Sequence, residues 1–289
     1  MKNMDMNPIS QESVINQFNN NKDNKDNKDI QTYSKIDSLT FQAFGDFKFE
    51  STNNPLIELE NCTSIIIKQI PEYFELVTGF ERNISYNIFG VSPQGYKYLF
   101  KCIEDTGCLN RWLCPLRFRK LDMNYFHYSS FPIQPEDSKI FANFTKPYKC
   151  PCFCLSRPEI IVKLNENNEI IGKIKNPFST CEEIYEIYDE KEKIKYNIKG
   201  KSCQCGLLCA NSIMGKMGEA YFNIIDPESK EQIGTIIKKS PVTSNSDFSE
   251  NENYKVTFPE KASVNEKLLL LSLGLMIDYE YFELDPSVI

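Results

Sequence analysis

The chain has 289 residues, with 33 Lys and Arg against 40 Asp and Glu, and its formal net charge is −7. Such a length allows one large domain or two small ones, at roughly 100–200 residues per domain. The acidic balance disfavours a nucleic-acid-binding protein, because phosphate contacts need clustered Lys and Arg. His127 is the only histidine, which disfavours a general acid–base enzyme, since His titrates nearest neutral pH.

The N-terminal part, residues 1–50, is predicted to be a disordered tail. Its run Asn19–Asp29 contains only Asn, Lys and Asp, so it has too little apolar surface to offset the entropy lost on ordering. The first 29 residues lack the apolar region of a signal peptide. We therefore expect a chain that stays in the reducing cytosol, where its 11 cysteines would not form a disulfide framework.

From about residue 55 the chain alternates between runs typical of strands and clusters of turn formers, and we predict one ordered domain over residues 55–285. The turn formers Asn165–Asn168 and Asp226–Ser229 each separate two such runs, which predicts antiparallel hairpins. The runs rich in Ile, Val, Tyr and Phe are Thr63–Gln69, Tyr96–Cys102, Ile160–Leu164, Ile170–Ile174, Tyr221–Ile225 and Gln232–Ile237.

A short pattern, Ile-Gly-x-Ile, occurs at Ile171 and again 62 residues later at Ile233. This weak repeat fits a sheet that is built from similar hairpins or closed into a barrel. Two ordinary hairpins that converged on the same residues would look the same.

The segment Val264–Phe282 breaks the strand pattern and is predicted to be a helix. Ser263 precedes it as a potential N-cap, and Glu266 follows three residues later, which is the signature of a capping box. The stretch Leu268–Ile277 is apolar on nearly every face, and such a helix either lies in a core or spans a membrane.

Length decides between these two positions for the helix. Ten residues rise only about 15 Å, whereas the hydrocarbon slab is about 30 Å thick. A longer span would place Asp278 and Glu280 in lipid at a cost of several kcal/mol. We therefore expect a closed β-sheet wrapped around an apolar helix whose core-facing residues include Leu268, Leu271, Leu275 and Ile277.

Several motifs, taken together in chain order, resemble the phospholipid scramblase family over roughly residues 57–284. No single motif is decisive, but the ordered set is specific. The motifs are Phe74–Glu81, Glu104–Cys114, the cysteine run Lys149–Cys154, Asn253–Pro259 and the helix end Ile277–Glu283.

The resemblance implies a tubby-like fold, a mainly β, closed 12-stranded antiparallel barrel that encloses an apolar C-terminal α-helix. It also implies movement of phospholipids between membrane leaflets in both directions, without ATP, without covalent catalysis and in response to Ca²⁺. The implied location is the cytoplasmic face of a membrane, above all the plasma membrane. The other function that we consider is a membrane-tethered lipid-binding or adaptor module without transport activity. Association of the chain with further copies of itself is the other partner interaction that we consider.

The cysteines Cys150, Cys152 and Cys154 alternate with other residues, so an extended strand would place their thiols on one face. In the family the matching run is palmitoylated, and the resemblance implies lipidation here. Lys146, Lys149 and Arg157 flank the run as cations suited to a membrane surface. Burial as small apolar residues is an alternative, and so is a zinc site, although the spacing is not the one typical of structural zinc.

An acidic stretch before the last helix matches the segment proposed to bind Ca²⁺ in the family. Glu250, Glu252 and Glu260 are the candidate ligands. Lys255 and Lys261 occupy positions where a calcium loop of the EF-hand type needs Gly and a carboxylate. A solvated acidic loop is therefore the alternative, and any binding is expected to be weak.

A second group of residues could face the membrane. Arg111 and Arg117 could meet anionic headgroups, and Trp112 could lie at the membrane interface. A solvated loop and a core position, respectively, are the alternatives.

Overall fold

The structure is a computed structural model that describes residues 54–69, 83–92, 95–106, 120–128, 138–148, 157, 159–179, 182–201, 204, 219–238 and 254–281. The described residues form twelve strands and two helices. In chain order these are α1 (Pro55–Glu60), β1 (Ser64–Gln69), β2 (Ser85–Ser92), β3 (Gly95–Glu104), β4 (Leu121–Tyr128), β5 (Ser138–Lys146), β6 (Glu159–Leu164), β7 (Glu169–Lys175), β8 (Glu182–Asp189), β9 (Ile194–Lys201), β10 (Ala220–Ile225), β11 (Gln232–Lys238), β12 (Tyr254–Thr257) and α2 (Val264–Tyr281).

The strands form a closed barrel in which each strand is antiparallel to its neighbours in the chain. The barrel closes where β1 pairs with β12, from Ser64 opposite Thr257 to Ile67 opposite Tyr254. The mainly β class, the closed 12-stranded barrel and the predicted hairpins are thus confirmed. Closure also removes the sheet edges that would otherwise offer unpaired backbone groups to another chain.

The repeated Ile-Gly-x-Ile pattern marks the same irregularity in two hairpins. The register of β6 with β7 shifts next to the pair Val162–Gly172, and that of β10 with β11 shifts next to the pair Ile224–Gly234. In both cases the isoleucine before the glycine is the extra residue of a β-bulge. A side chain on Gly172 would come within 2.3 Å of the Tyr188 carbonyl oxygen, so only glycine fits there.

Helix α2 fills the barrel. Its N-terminus has the predicted capping box, because the Ser263 N–H donates to Glu266 Oε2 at 2.8 Å and the Glu266 N–H donates to Ser263 Oγ at 3.3 Å. All residues from Lys267 to Tyr281 are buried. The one mid-helix hydroxyl is satisfied too, since Ser272 donates to the Leu268 carbonyl and accepts from Tyr125 at 2.6 Å.

Helix α1 was not predicted, and the chain from residue 55 does not begin as a strand. Asn54 caps this helix by accepting a hydrogen bond from the Leu56 N–H at 2.9 Å, and Pro55 occupies the first turn. Asn followed by Pro is a helix-start signal that the strand-rich context hid. The predicted tail, residues 1–50, lies outside the described residues.

Candidate functional site

The barrel has two unlike ends. In a barrel of consecutive antiparallel strands, alternate connections lie at the same end. At one end, which we call the loop rim, six strands and α2 end. The last residues of these strands are Gln69, Glu104, Lys146, Lys175, Lys201 and Lys238. The opposite end, the turn rim, carries α1, the start of α2 and turns such as residues 165–168 and 226–229.

Most of the predicted site residues belong to connections between strands that end at the loop rim. Cys150, Cys152 and Cys154 are in the β5–β6 connection, Arg111, Trp112 and Arg117 are in the β3–β4 connection, and Glu250 and Glu252 are in the β11–β12 connection. All eight lie outside the described residues, so their roles stay predictions.

Glu260 is described, and it lies at the other end of the barrel. It is an exposed turn residue between β12 and α2, at the turn rim. Lys255 lies within β12, where it pairs with Ile66 of β1 and Ile237 of β11. Along the chain, β12 thus lies between Glu260 and the connection that holds the other two predicted ligands, and that connection begins and ends at the loop rim.

Among the residues that the structure describes, no three His, Cys, Asp or Glu side chains are grouped as a metal site requires. The calcium site stays a prediction that depends on the connection before β12.

The four predicted helix residues are fully buried, as the sequence predicted. Leu268, Leu271, Leu275 and Ile277 all belong to the main apolar cluster inside the barrel. Within the described ranges, no helix is long and apolar enough to cross a membrane.

A buried polar cluster, which sequence analysis did not predict, closes the loop rim. Tyr86 donates to Asp278 Oδ2 at 2.5 Å. Burial raises the pKa of the Asp278 carboxyl above its ordinary value, while hydrogen bonds from Tyr86 and Tyr254 and the charge of Lys238 oppose that shift. The carboxylate at the end of α2 is thus held by groups from β2, β11 and β12.

An ion pair completes the cluster. Lys146 Nζ of β5 lies 3.2 Å from Glu280 Oε1, and the two side chains are only 2% and 6% exposed. The same ammonium lies 5.7 Å from the centroid of the Tyr279 ring. Lys146 therefore does not belong with the cations that flank the cysteine run, because its charge is directed into the barrel and compensates a buried carboxylate.

The two described cysteines behave as core residues. Cys102 is fully buried, in keeping with the packing role that its apolar surroundings favour, and burial raises the pKa of its thiol. Cys62 is also buried, and burial raises the pKa of its thiol to about 11. Thiols held in the neutral form are poor nucleophiles, so the described part of the chain gives neither cysteine a reactive role.

His127 is half-buried on β4, and burial lowers the pKa of its imidazole.

The buried groups at the loop rim, Asp278 and Glu280 with their partners, are suited to holding the end of the core helix in place. The connections that carry the predicted lipid-facing residues begin and end on this rigid frame.

Comparison with known proteins identifies this barrel. A family model, Scramblase, matches residues 47–284. Phospholipid scramblase 1 of Homo sapiens is 25% identical over 237 residues, which are 78% of this chain and 64% of the relative. Phospholipid scramblase 1 of Mus musculus is 22% identical over 231 residues, covering 78% and 62% of the two chains.

A third relative, phospholipid scramblase 2 of Bos taurus, is 23% identical over 232 residues, covering 78% of this chain and 70% of the relative. The chain spans less than two thirds of the length of the mouse and human relatives. No solved structure matches it.

Proposed function

The chain belongs to the scramblase family, and on that premise we propose that it moves phospholipids between membrane leaflets in both directions, without ATP and on a Ca²⁺ signal. The observation that carries the proposal is the family match over residues 47–284, which includes every strand and helix of the barrel. The names of three relatives, each a phospholipid scramblase, support the same activity. Lipid translocation makes and breaks no covalent bond, so we propose no enzymatic reaction.

The filled barrel constrains how lipid could move. Helix α2 occupies the interior, with mostly apolar side chains from Leu268 to Ile277, and a polar headgroup would be poorly solvated there. We therefore place the lipid's path at the outer surface of the protein, at a locally thinned bilayer or between self-associated copies. Acyl chains on Cys150, Cys152 and Cys154 would hold the loop rim at the cytoplasmic face of the plasma membrane, since stable anchoring takes two signals.

The same filled interior favours the second function, a membrane-tethered lipid-binding or adaptor module. In this alternative the barrel is a scaffold and the acyl chains are its anchor. Both functions share the membrane, so the measurement that separates them must follow lipid transfer itself.

The test is reconstitution of the purified full chain in vesicles that contain a fluorescent phospholipid. Dithionite bleaches only the outer leaflet, so scrambling is measured as bleaching beyond half of the signal. We expect a rise on addition of Ca²⁺ that does not need ATP. Glu250→Gln with Glu252→Gln should remove the response to Ca²⁺, and Glu260→Gln, at the turn rim, is the matched control. Protein-containing vesicles that bleach like empty ones would reject transport and favour the adaptor.

The anchor is tested separately by membrane fractionation of cells. Cys150→Ala, Cys152→Ala and Cys154→Ala together should release the protein from membranes, whereas Cys62→Ala should not. A triple variant that fractionates like the unaltered protein would reject lipidation of this run as the anchor.

A further inference from the structure

Two exposed aromatic side chains follow strands that end at the loop rim. Tyr148 follows β5 and is 55% exposed, and Phe178 follows β7 and is 65% exposed. Strand β6 separates the two positions, since it pairs with β5 on one side and β7 on the other, with Glu159 opposite Lys175. Neighbouring strands are about 4.8 Å apart, so the ends of β5 and β7, after which the two aromatic residues follow, lie about two strand spacings apart, on either side of the start of β6.

An arginine is fixed beside one of these rings. The Arg157 guanidinium lies 5.4 Å from the centroid of the Phe178 ring, and its Nη1 donates to Asn176 Oδ1 at 3.1 Å. Asn176 in turn donates through Nδ2 to the Ile184 carbonyl oxygen at 2.9 Å. The cation is therefore tied to the backbone of β8 and lies at the level of the exposed ring.

The composition of this small surface matches the interface of a bilayer. Tyr and Trp rings are enriched at the level of the headgroups, and each basic residue near an anionic leaflet contributes about 1 kcal/mol. Phe178 is 65% exposed and so adds little to the barrel core, whereas partial insertion into a bilayer would bury its apolar surface. Lys146, two residues before Tyr148, is directed inward to Glu280 and takes no part.

We infer that Tyr148, Arg157 and Phe178 form a docking surface for a bilayer that contains anionic phospholipids, and we call it the rim platform. The inference rests on the proposed membrane function and deepens it, because it says which part of the barrel faces the lipid. Tyr148 and Arg157 lie near the two ends of the β5–β6 connection. The platform would therefore hold that connection against the membrane surface.

The test measures binding of the full chain, made in a host that does not acylate it, to vesicles of phosphatidylcholine with or without phosphatidylserine. Tyr148→Ser with Phe178→Ser should weaken co-sedimentation about tenfold or more. Arg157→Gln should reduce only the gain that phosphatidylserine provides, by about fivefold. Ile57→Ser and Tyr96→Ser, at exposed positions of the turn rim, are the matched controls and should bind as before.

Loss of binding without a change in melting temperature supports the platform. Double variants that bind like the unaltered chain, or an unaltered chain that does not bind, would overturn it. The outcome does not depend on transport, since a chain that docks through the platform but does not scramble rejects only the proposed activity.

A second measurement covers the case in which the Ser variants fail to fold. In the Phe178→Trp variant, brominated phospholipid vesicles should quench the tryptophan fluorescence by more than the background from Trp112. In the Tyr96→Trp variant they should cause no quenching beyond that background. Equal quenching at both positions would overturn the assignment of this rim to the membrane.

Discussion

The two rims of the barrel are closed by different chemistry. At the turn rim, Lys267 Nζ donates to the carbonyl oxygens of Leu59, Glu60 and Cys62, at 3.3, 2.6 and 2.8 Å, and so caps the end of α1. At the loop rim, the end of α2 is held by charged side chains, chiefly the pair Lys146–Glu280. The buried ammonium at the turn rim thus satisfies backbone carbonyls, whereas the buried ammonium at the loop rim meets a buried carboxylate.

This difference has a consequence for tolerance to change. Removing a buried cation that meets only neutral carbonyls costs the hydrogen bonds to those carbonyls. A buried carboxylate that loses its cation is left as an uncompensated charge. The loop rim, where the predicted lipid-facing connections begin, should therefore be the end of the barrel that is more sensitive to single changes of charge.

The largest effect is expected for Lys146→Met, which removes the buried ammonium that lies 3.2 Å from the Glu280 carboxylate. The free energy of unfolding should fall by about 3–5 kcal/mol, and adding Glu280→Leu should restore most of it. Denaturant unfolding measures both. Lys139→Met is the control, because Lys139 and Glu166 form an ion pair at the turn rim with both side chains 73% exposed, and its loss should cost under about 1 kcal/mol.

Equal losses for Lys146→Met and Lys139→Met would contradict the contrast between the rims. Failure of Glu280→Leu to rescue would show instead that Lys146 stabilises the barrel through contacts other than Glu280, such as that with the Tyr279 ring.

Lys267→Met should have the next largest effect, about 2–3 kcal/mol, because three carbonyls at the end of α1 lose a charged donor. Lys267→Arg should lose less, since it keeps the charge near those carbonyls. Urea unfolding measures the loss, and protease sensitivity near residue 60 reports whether α1 detaches. A loss as large as that of Lys146→Met would mean that both rims respond alike.

The framework of the barrel could be predicted from the sequence because its signals are local. Strand runs, the turn residues at Asn165–Asn168, the capping box at Ser263 and the all-apolar stretch of α2 each act within a few residues. The position of α2 in the core followed from the short length of its apolar stretch and from the charged residues beyond it, and the structure confirms it.

The loop-rim cluster could not be predicted in the same way. Lys146 and Glu280 are far apart in the chain, and only closure of the barrel brings β5 to the end of α2. Lys146 therefore looked like one of the cations around the cysteine run. The place of Glu260 at the turn rim was hidden for the same reason, since it depends on β12 running from one rim to the other.

The smallest expected effect is a difference in pH dependence between the rims. Burial raises the pKa of Asp278, so the folded state binds its proton more tightly than the unfolded state does. The stability that this group contributes is then greatest in acid and falls as pH rises from about 4 through the folded pKa, by at most about 1.4 kcal/mol per pH unit. Asp278→Asn should remove that slope in unfolding measured from pH 4 to 7.

Asp226, in the turn between β10 and β11, should behave in the opposite sense. Hydrogen bonds from the N–H groups of Ser229 and Glu228, at 2.6 and 2.9 Å, lower the pKa of this exposed carboxyl. The stability that Asp226 contributes is present above the pKa of this carboxyl in the unfolded chain, and it is lost as pH falls through its lower pKa in the folded chain. The unaltered chain should therefore lose stability relative to Asp226→Asn in acid but gain it relative to Asp278→Asn. Slopes of the same sign would show that the buried carboxylate at the loop rim is already compensated by Lys238 and the two tyrosines, as fully as the exposed one is by its turn.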